Sequence, residues 1–245
     1  MFKLTEKQQE IIDCSSQVKL VIGGHRSGKT ILAIINMWEQ MKKENNHNFK
    51  GLYLVRSTSV LKMIERQVKN LVPIESLISI IRKEDYTIIK TVYGEIFVSI
   101  KFIDLEFENK TIDEATSNKY VISKEFWKDV IGFTTQDYSH IPNNPNICIT
   151  GHLPSDINND FFKLWLSGVF SKDKRIQSFR LEDNFCDISN DNQLIKAIGK
   201  NRFNREYLAI PDYFEFKTST NEEKASYNKL QEKEFINVPP YGFKF

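Results

Sequence analysis

Gly23-Gly24-His25-Arg26-Ser27-Gly28-Lys29-Thr30 is the stretch that decides how this chain is read. Its pattern, Gly-x-x-x-x-Gly-Lys-Thr, is that of a loop whose backbone N–H groups wrap a phosphate. Both flanks suit that geometry. Val18-Lys19-Leu20-Val21-Ile22 is a short β-rich run with the look of a buried strand, and Ile31-Leu32-Ala33-Ile34-Ile35 begins an apolar helix. A strand, a glycine turn and a helix N-terminus together point amide hydrogens and the positive end of a helix dipole at an anion. Gly23 and Gly28 let the backbone close, Lys29 supplies a mobile cation, and Thr30 offers a hydroxyl to Mg2+. His25, Arg26, Ser27 and Gly24 complete the expected nucleotide cradle.

The rest of the composition is ordinary. The chain has 245 residues, 40% of them hydrophobic and 27% charged, with a formal net charge of +2. That suits a soluble globular protein and argues against a general polyanion binder, so nucleic-acid contact has to come from a local patch. Cys14, Cys148 and Cys186 are widely spaced and read as reduced thiols. No run approaches the length of a membrane span, and the polar N-terminus lacks a signal-peptide core. No membrane role is expected.

Outward from the loop, residues 4–12 read as a short helix capped by Thr5. Residues 51–56 read as a second strand, and 60–72 as an amphipathic helix ended by Pro73, with Lys62, Arg66 and Lys69 on its polar face. Residues 77–107 alternate like strands, with a turn at Tyr93-Gly94-Glu95. Further elements are expected as a helix at 124–131, a turn-rich stretch at 140–145, a strand at 146–150, a helix at 158–166, a strand at 175–181 and a helical tail at 190–208. Strands alternating with helices predict an α/β fold with a mainly parallel sheet.

A phosphate loop binds; hydrolysis also needs a carboxylate for the metal shell and a group that orients water. Asp113 and Glu114 are the candidates, Asp113 for Mg2+ and Glu114 for the attacking water, their side chains pointing different ways from a strand end. Residues 107–111 before them are more polar than a buried central strand ordinarily is.

In order, four segments resemble the ATPase domain of tailed-bacteriophage terminase large subunits. Leu4-Thr5-Glu6-Lys7-Gln8 resembles the family's glutamine motif, which implies adenine contact by Gln8. Gly23 to Thr30 is similar to its phosphate loop, and Asp113-Glu114-Ala115, followed by Glu125-Phe126-Trp127, to its acidic motif. The run Ile147-Cys148-Ile149-Thr150-Gly151-His152-Leu153-Pro154, then Asp160-Phe161-Phe162, resembles its coupling motif, so Thr150, Gly151 and His152 are the expected coupling residues. Asp183-Asn184 and Arg205-Glu206-Tyr207-Leu208 look like parts of its lid. The departures lie at His25, where the family usually has Arg, and at His152 and Leu153 in the coupling motif. The family's catalytic loop arginine maps to Arg26. No Arg lies between Arg82 and Arg175, which leaves Lys101, Lys110, Lys124 and Lys128 as cations for a trans role, without an arginine's forked contact.

The resemblance implies a P-loop NTPase of the RecA-like (ASCE) type, with a core over 1–180, a small helical lid over 181–215 and a charged tail over 216–245. It implies an ATPase using ATP and Mg2+ to drive double-stranded DNA into a procapsid, as a ring of like subunits on the portal and a monomer in solution. A small terminase subunit or a separate nuclease would be further partners. A nuclease domain needs on the order of 100 residues, and about 35 follow residue 210, so none is expected here. The location implied is the cytoplasm of an infected host cell, in soluble form. Arg56, Lys62, Arg66 and Lys69 are the candidate DNA-phosphate contacts, set against the plainer reading of a solvated face. Trp38, Trp127 and Trp165 read as core, and His140 and His152 as too isolated for a metal cage. The alternatives are another DNA-dependent ATPase of the helicase kind, a non-hydrolysing nucleotide-binding regulatory module, and a small-molecule kinase.

Overall fold

The structure is a computed structural model that describes residues 4–44, 49–101, 107, 109–117, 146–154, 159–170, 174–181, 192–198, 203, 207 and 209. Helix α1 (Glu6–Asp13) starts where expected, because Thr5 and Gln8 cap it reciprocally. The Thr5 hydroxyl accepts the Gln8 N–H at 3.2 Å, and the Gln8 carboxamide accepts the Thr5 N–H at 3.1 Å. Strand β1 (Val18–Gly23) is buried along its length and runs through the glycine loop into α2 (Lys29–Glu44). Next come β2 (Phe49–Leu54) and α3 (Thr58–Leu71), the latter capped by Ser57. The alternating stretch becomes three strands, β3 (Leu77–Arg82), β4 (Tyr86–Thr91) and β5 (Gly94–Ser99), with the β4–β5 turn at Tyr93. Then follow β6 (Asn109–Ile112), a 3-10 turn (Ala115–Ser117), β7 (Asn146–Gly151), α4 (Asp160–Phe170), β8 (Ile176–Leu181) and α5 (Asn192–Ile198).

The strands described make one sheet in the order β3-β4-β5-β2-β6-β7-β1-β8. From β5 to β8 every neighbouring pair is parallel, while β4 joins β5, and β3 joins β4, antiparallel. The fold is therefore α/β and mainly parallel, as expected. The C-terminal ends of the parallel strands β1, β7 and β6 lie side by side, so the glycine loop, Thr150 and Asp113 emerge together there.

The period-two alternation of a strand splits the core between two faces. Leu20, Ile22, Leu52 and Leu54 pack on the α4 side with Phe161, Phe162 and Trp165. On the other side Tyr53 packs with Met37, Trp38, Ile64 and Val68 of α2 and α3, and Val21 with Ile11 and Leu32 of α1 and α2. Burying each large apolar side chain contributes about 1.5–3 kcal/mol. Trp165 also satisfies its one polar atom, its Nε1 donating to the Phe179 carbonyl at 3.0 Å. The core reading of Trp38 and Trp165 holds.

Several sequence bounds shift. The strand expected at 51–56 begins earlier, because Phe49 is already buried and paired with Gly94. The helix expected at 158–166 starts later and runs on to Phe170. Of the helical tail, 192–198 is a helix and 203 and 207 are helical. The expected helix at 124–131, with Trp127, Lys124 and Lys128, lies outside the described residues, as do the turn at 140–145, His140, Cys186 and the tail beyond 209. Polar β6 is a central strand all the same. Asn109 is buried with its amide donating to Glu44 at the end of α2, at 2.9 Å. The helix packed over the sheet supplies a partner for that amide nitrogen, while the Asn109 carboxamide oxygen is buried without one.

Candidate nucleotide site

The glycine loop is shaped by two residues of left-handed backbone, Arg26 at φ 65° and Gly28 at φ 81°. Arg26 is exposed, whereas Ser27 is buried with a hydroxyl oxygen that has no hydrogen-bond partner. The Lys29 ammonium is buried and turned back on its own loop, donating to the carbonyls of Gly23 at 2.9 Å and Gly24 at 2.8 Å. Burial pulls its pKa below the usual lysine range, against the opposing pull of Glu114 and Asp113. Gln8 reaches the loop from α1, its amide nitrogen 3.5 Å from the Ser27 carbonyl.

Asp113 and Glu114 are adjacent in sequence and sit in different surroundings. The Asp113 carboxylate is buried and met by four donors. Oδ1 accepts from the Thr150 hydroxyl at 2.6 Å and the Glu114 N–H at 3.1 Å, and Oδ2 from the Thr30 hydroxyl at 2.8 Å and the Tyr53 phenol at 3.2 Å. Burial pushes its pKa up, helped by Glu114, while Thr150, Thr30 and Lys29 pull it back. Burial, then Asp113, drives the Tyr53 phenol well above its usual range, so it remains an O–H donor.

Glu114 has φ 58°, a conformation that side chains adopt rarely and that turns the chain sharply after Asp113. Its carboxylate meets His152, Nδ1 to Oε2 at 3.2 Å. Burial works to raise the Glu114 pKa, but the His152 contact, Lys29 and His25 outweigh it and hold the carboxyl at about 2. The His152 carbonyl is fixed in turn by the Thr116 hydroxyl at 2.6 Å. His25 lies over His152 with ring centroids 5.8 Å apart, and Tyr207 meets the His25 ring edge-on at 4.9 Å.

Tyr207 closes on the loop. A Cβ added to Gly24 would run into the backbone carbonyl of Tyr207, so only glycine fits that approach. Phe203 stacks on Tyr207, and the Arg180 guanidinium donates to the Ala209 carbonyl at 3.2 Å. Glu114, Arg26 and Ala209 are the non-glycine residues with positive φ among the described residues. The first two lie in the loop and the acidic pair, and the third in the segment that packs on them.

Of the sequence candidates, Gln8, Gly23, Gly24, His25, Arg26, Ser27, Gly28, Lys29, Thr30, Asp113, Glu114, Thr150 and His152 thus gather at the C-terminal ends of the central strands, with Gly151 ending β7 beside them. Arg56 is near, its guanidinium 3.4 Å from the Ser117 hydroxyl just past Glu114. Lys62, Arg66 and Lys69 are exposed on α3, and Lys69 bonds Glu65 at 3.2 Å. Of the possible trans cations, Lys101 bonds Asp85 at 2.8 Å, and burial lowers the pKa of Lys110. Sequence reading missed Tyr53 and the His152–Glu114 contact. Tyr53 sits in an apolar strand run, where a phenol reads as core. His152 reads in sequence as an altered coupling residue, and its partner depends on a turn that sequence does not display.

The donor set suits Mg2+. The metal is a hard cation that takes oxygen ligands and keeps several of its waters. The Thr30 hydroxyl and the Asp113 carboxylate stand together beside the phosphate loop.

A scan of protein-family models returns no match, and neither does a search of curated protein sequences. Solved structures do match. The Thermus phage P74-26 large terminase ATPase domain aligns with TM-score 0.56 at 12% identity, covering 84% of this chain and 93% of that one. The large terminase of a thermophilic bacteriophage aligns with TM-score 0.62 at 12% identity, over 85% and 53%. That protein has also been solved with ADP and with ATP-γ-S. The HK97 bacteriophage large terminase aligns with TM-score 0.57 at 13% identity, over 93% and 47%. The chain thus spans nearly all of an isolated terminase ATPase domain and about half of the longer terminases. What it shares with them is the fold, a P-loop NTPase sheet flanked by helices.

Proposed function

We propose that this chain is an ATP-hydrolysing motor domain of the terminase type, converting γ-phosphate cleavage into movement of double-stranded DNA into a procapsid. The observation that carries this reading is the Thr30–Asp113 hydrogen bond of 2.8 Å, which joins the phosphate loop to the acidic pair across 83 residues of sequence. The shared fold supports it.

The loop amides and the N-terminus of α2 bind the phosphates. A phosphate there gives the orphaned Ser27 hydroxyl a partner and draws the Lys29 ammonium off the Gly23 and Gly24 carbonyls. Gln8 contacts adenine from the α1 side. Thr30 and Asp113 would hold Mg2+, which would supply positive charge to offset the charge developing on the transferred phosphate. Arg26, on the exposed lip of the loop, adds a cation for the γ-phosphate. Glu114 accepts a hydrogen bond from the attacking water and aims it in line. A carboxylate held at about 2 is a weak base, so its contribution is orientation, which is most of what a loose phosphoryl transition state requires.

Thr150 touches Asp113, and His152 touches Glu114, so residues 150–152 sense both acids at once. His25 and Tyr207 extend that contact to 203–209, part of the lid, whose movement pulls DNA gripped through phosphates by Arg56, Lys62, Arg66 and Lys69. The working form is a ring of like subunits on a portal, acting with a small terminase subunit or a separate nuclease, in the cytoplasm of the infected cell. Among the described residues no helix is long and apolar enough to cross a membrane.

The test is steady-state ATP hydrolysis by wild type and Glu114→Gln, with and without duplex DNA and cognate procapsids. Wild-type turnover stimulated by procapsids, abolished by the substitution with ATP binding kept, is the expected result. A wild-type protein that binds ATP and never turns it over overturns the reading. That outcome favours a non-hydrolysing regulatory module, for which the hold of His152 on Glu114 is the specific observation.

A further inference from the structure

We infer that Tyr53 is a positioning residue of the metal site, whose phenol holds the Asp113 carboxylate in the one orientation that keeps Oδ2 on Thr30. This rests on the reading of Thr30 and Asp113 as the Mg2+ site. The geometry is cross-strand. In the parallel register of β2 with β6, Tyr53 lies opposite Thr111, two residues before Asp113 and therefore on the same face. A tyrosine is long enough to span that diagonal, and its oxygen ends 3.2 Å from Asp113 Oδ2. On the other flank, β6 and β7 pair Ile112 with Ile149, so the next residue, Thr150, stands beside Asp113 and donates to Oδ1 at 2.6 Å. The carboxylate is thus gripped from both neighbouring strands, one oxygen each, while Thr30 reaches Oδ2 from α2.

The three grips differ in what they can do. Thr30 belongs to the helix that follows the phosphate loop, and Thr150 to the segment that touches Glu114 through His152. In the proposed function both are tied to parts that respond to nucleotide. Tyr53 is 1% exposed, and its ring is packed in the core between the sheet and α2, with Met37 and Trp38 in the same cluster. It is the fixed reference of the three. Without its hydroxyl Asp113 keeps its place in the chain but loses the donor that sets the rotation of its carboxylate plane, and Oδ2 is left to Thr30 alone. The consequence falls on metal recruitment, with phosphate binding by the loop left intact.

The experiment measures binding of a fluorescent ATP analogue to the full chain by anisotropy, first in EDTA and then across a Mg2+ titration. Wild type, Tyr53→Phe and Asp113→Asn are compared, with thermal unfolding of each as the folding control. A hydrogen bond to a charged acceptor is worth enough that its loss shifts an equilibrium about tenfold. In Tyr53→Phe, the Mg2+ concentration giving half of the metal-dependent gain in affinity is expected to rise about tenfold. Its affinity in EDTA is expected to match wild type. A wild-type Mg2+ response in Tyr53→Phe overturns the assignment, and so does an equal loss of affinity with and without Mg2+, which marks a packing role. A wild-type protein indifferent to Mg2+, with Asp113→Asn identical to it, removes the metal site itself and the role of Tyr53 with it. The wild-type titration thus separates failure of the underlying reading from failure of this inference.

Discussion

Carboxylates are held differently at the centre of the sheet and beside its β3 edge. At the end of β6, Asp113 is wholly buried and met by hydroxyls from three other elements. At the β3 edge, Glu65 of α3 holds the Arg82 guanidinium through both oxygens and the Lys69 ammonium as well, yet both cations lie largely in solvent. Arg82 and then Lys69 lower the Glu65 pKa against its burial. The hydrogen-bond counts are similar, but a buried carboxylate with neutral donors is fixed in place. Glu65 is buried too, but its partners are long cations that reach into solvent, so the pairing is screened, pays for the ordering of those side chains and adds little. The lesson is that precise placement, which phosphate chemistry demands, is built where water is excluded.

The largest test of that contrast is Glu114→Gln. It keeps shape while removing the charge that aims water, and turnover is expected to fall about 10²-fold or more with nucleotide binding retained, as measured by steady-state hydrolysis beside a binding titration. Lys29→Ala comes next. It removes the buried cation whose two carbonyl contacts mark the phosphate position, and equilibrium binding is expected to show nucleotide affinity lower by about 10–100-fold.

Acid stability compared between wild type and a Glu114 variant isolates that carboxylate. Its folded pKa is depressed from 4.5 to about 2, so the stability it contributes is complete above pH 4.5 and is lost as pH falls toward 2. Chemical denaturation of wild type and Glu114→Gln between those values is expected to show a stability gap, on the order of 3 kcal/mol, that closes on acidification. A gap constant with pH would mean that His152 does not hold the carboxylate. Gly24→Ala forces a methyl group against the Tyr207 carbonyl and is expected to lower the unfolding free energy by about 1–3 kcal/mol, with faster proteolysis near 203–209 as the local readout. At the Glu65 pairing the smallest effect is expected. Lys69→Ala is expected to change stability by less than about 0.5 kcal/mol, and a larger loss would erase the distinction between the two carboxylates.

Much of the site is legible in the chain because its signals are local. Gly28 must adopt positive φ, Lys29 and Thr30 must follow it at a helix start, and Thr5 with Gln8 forms a cap readable from their spacing. β6 was harder to read. Asn109 and Lys110 look wrong for a central strand until Glu44 is brought down on Asn109 by the packing of α2. Tyr53 and His152 were legible as residues but not as partners, since their contacts cross 60 and 38 positions of sequence.

The sequence alone determined the parts that one turn of backbone or one period of side chains can specify: the glycine loop, the capped helix, the alternating hairpin strands and the adjacent acids. Tertiary structure alone decided which parts meet. The insertion of β7 between β1 and β6, the left-handed turn at Glu114 and the closure of Tyr207 on Gly24 are set by strand order and packing. Those depend on which hydrophobic faces can be buried together, a property of the whole chain that no local window contains.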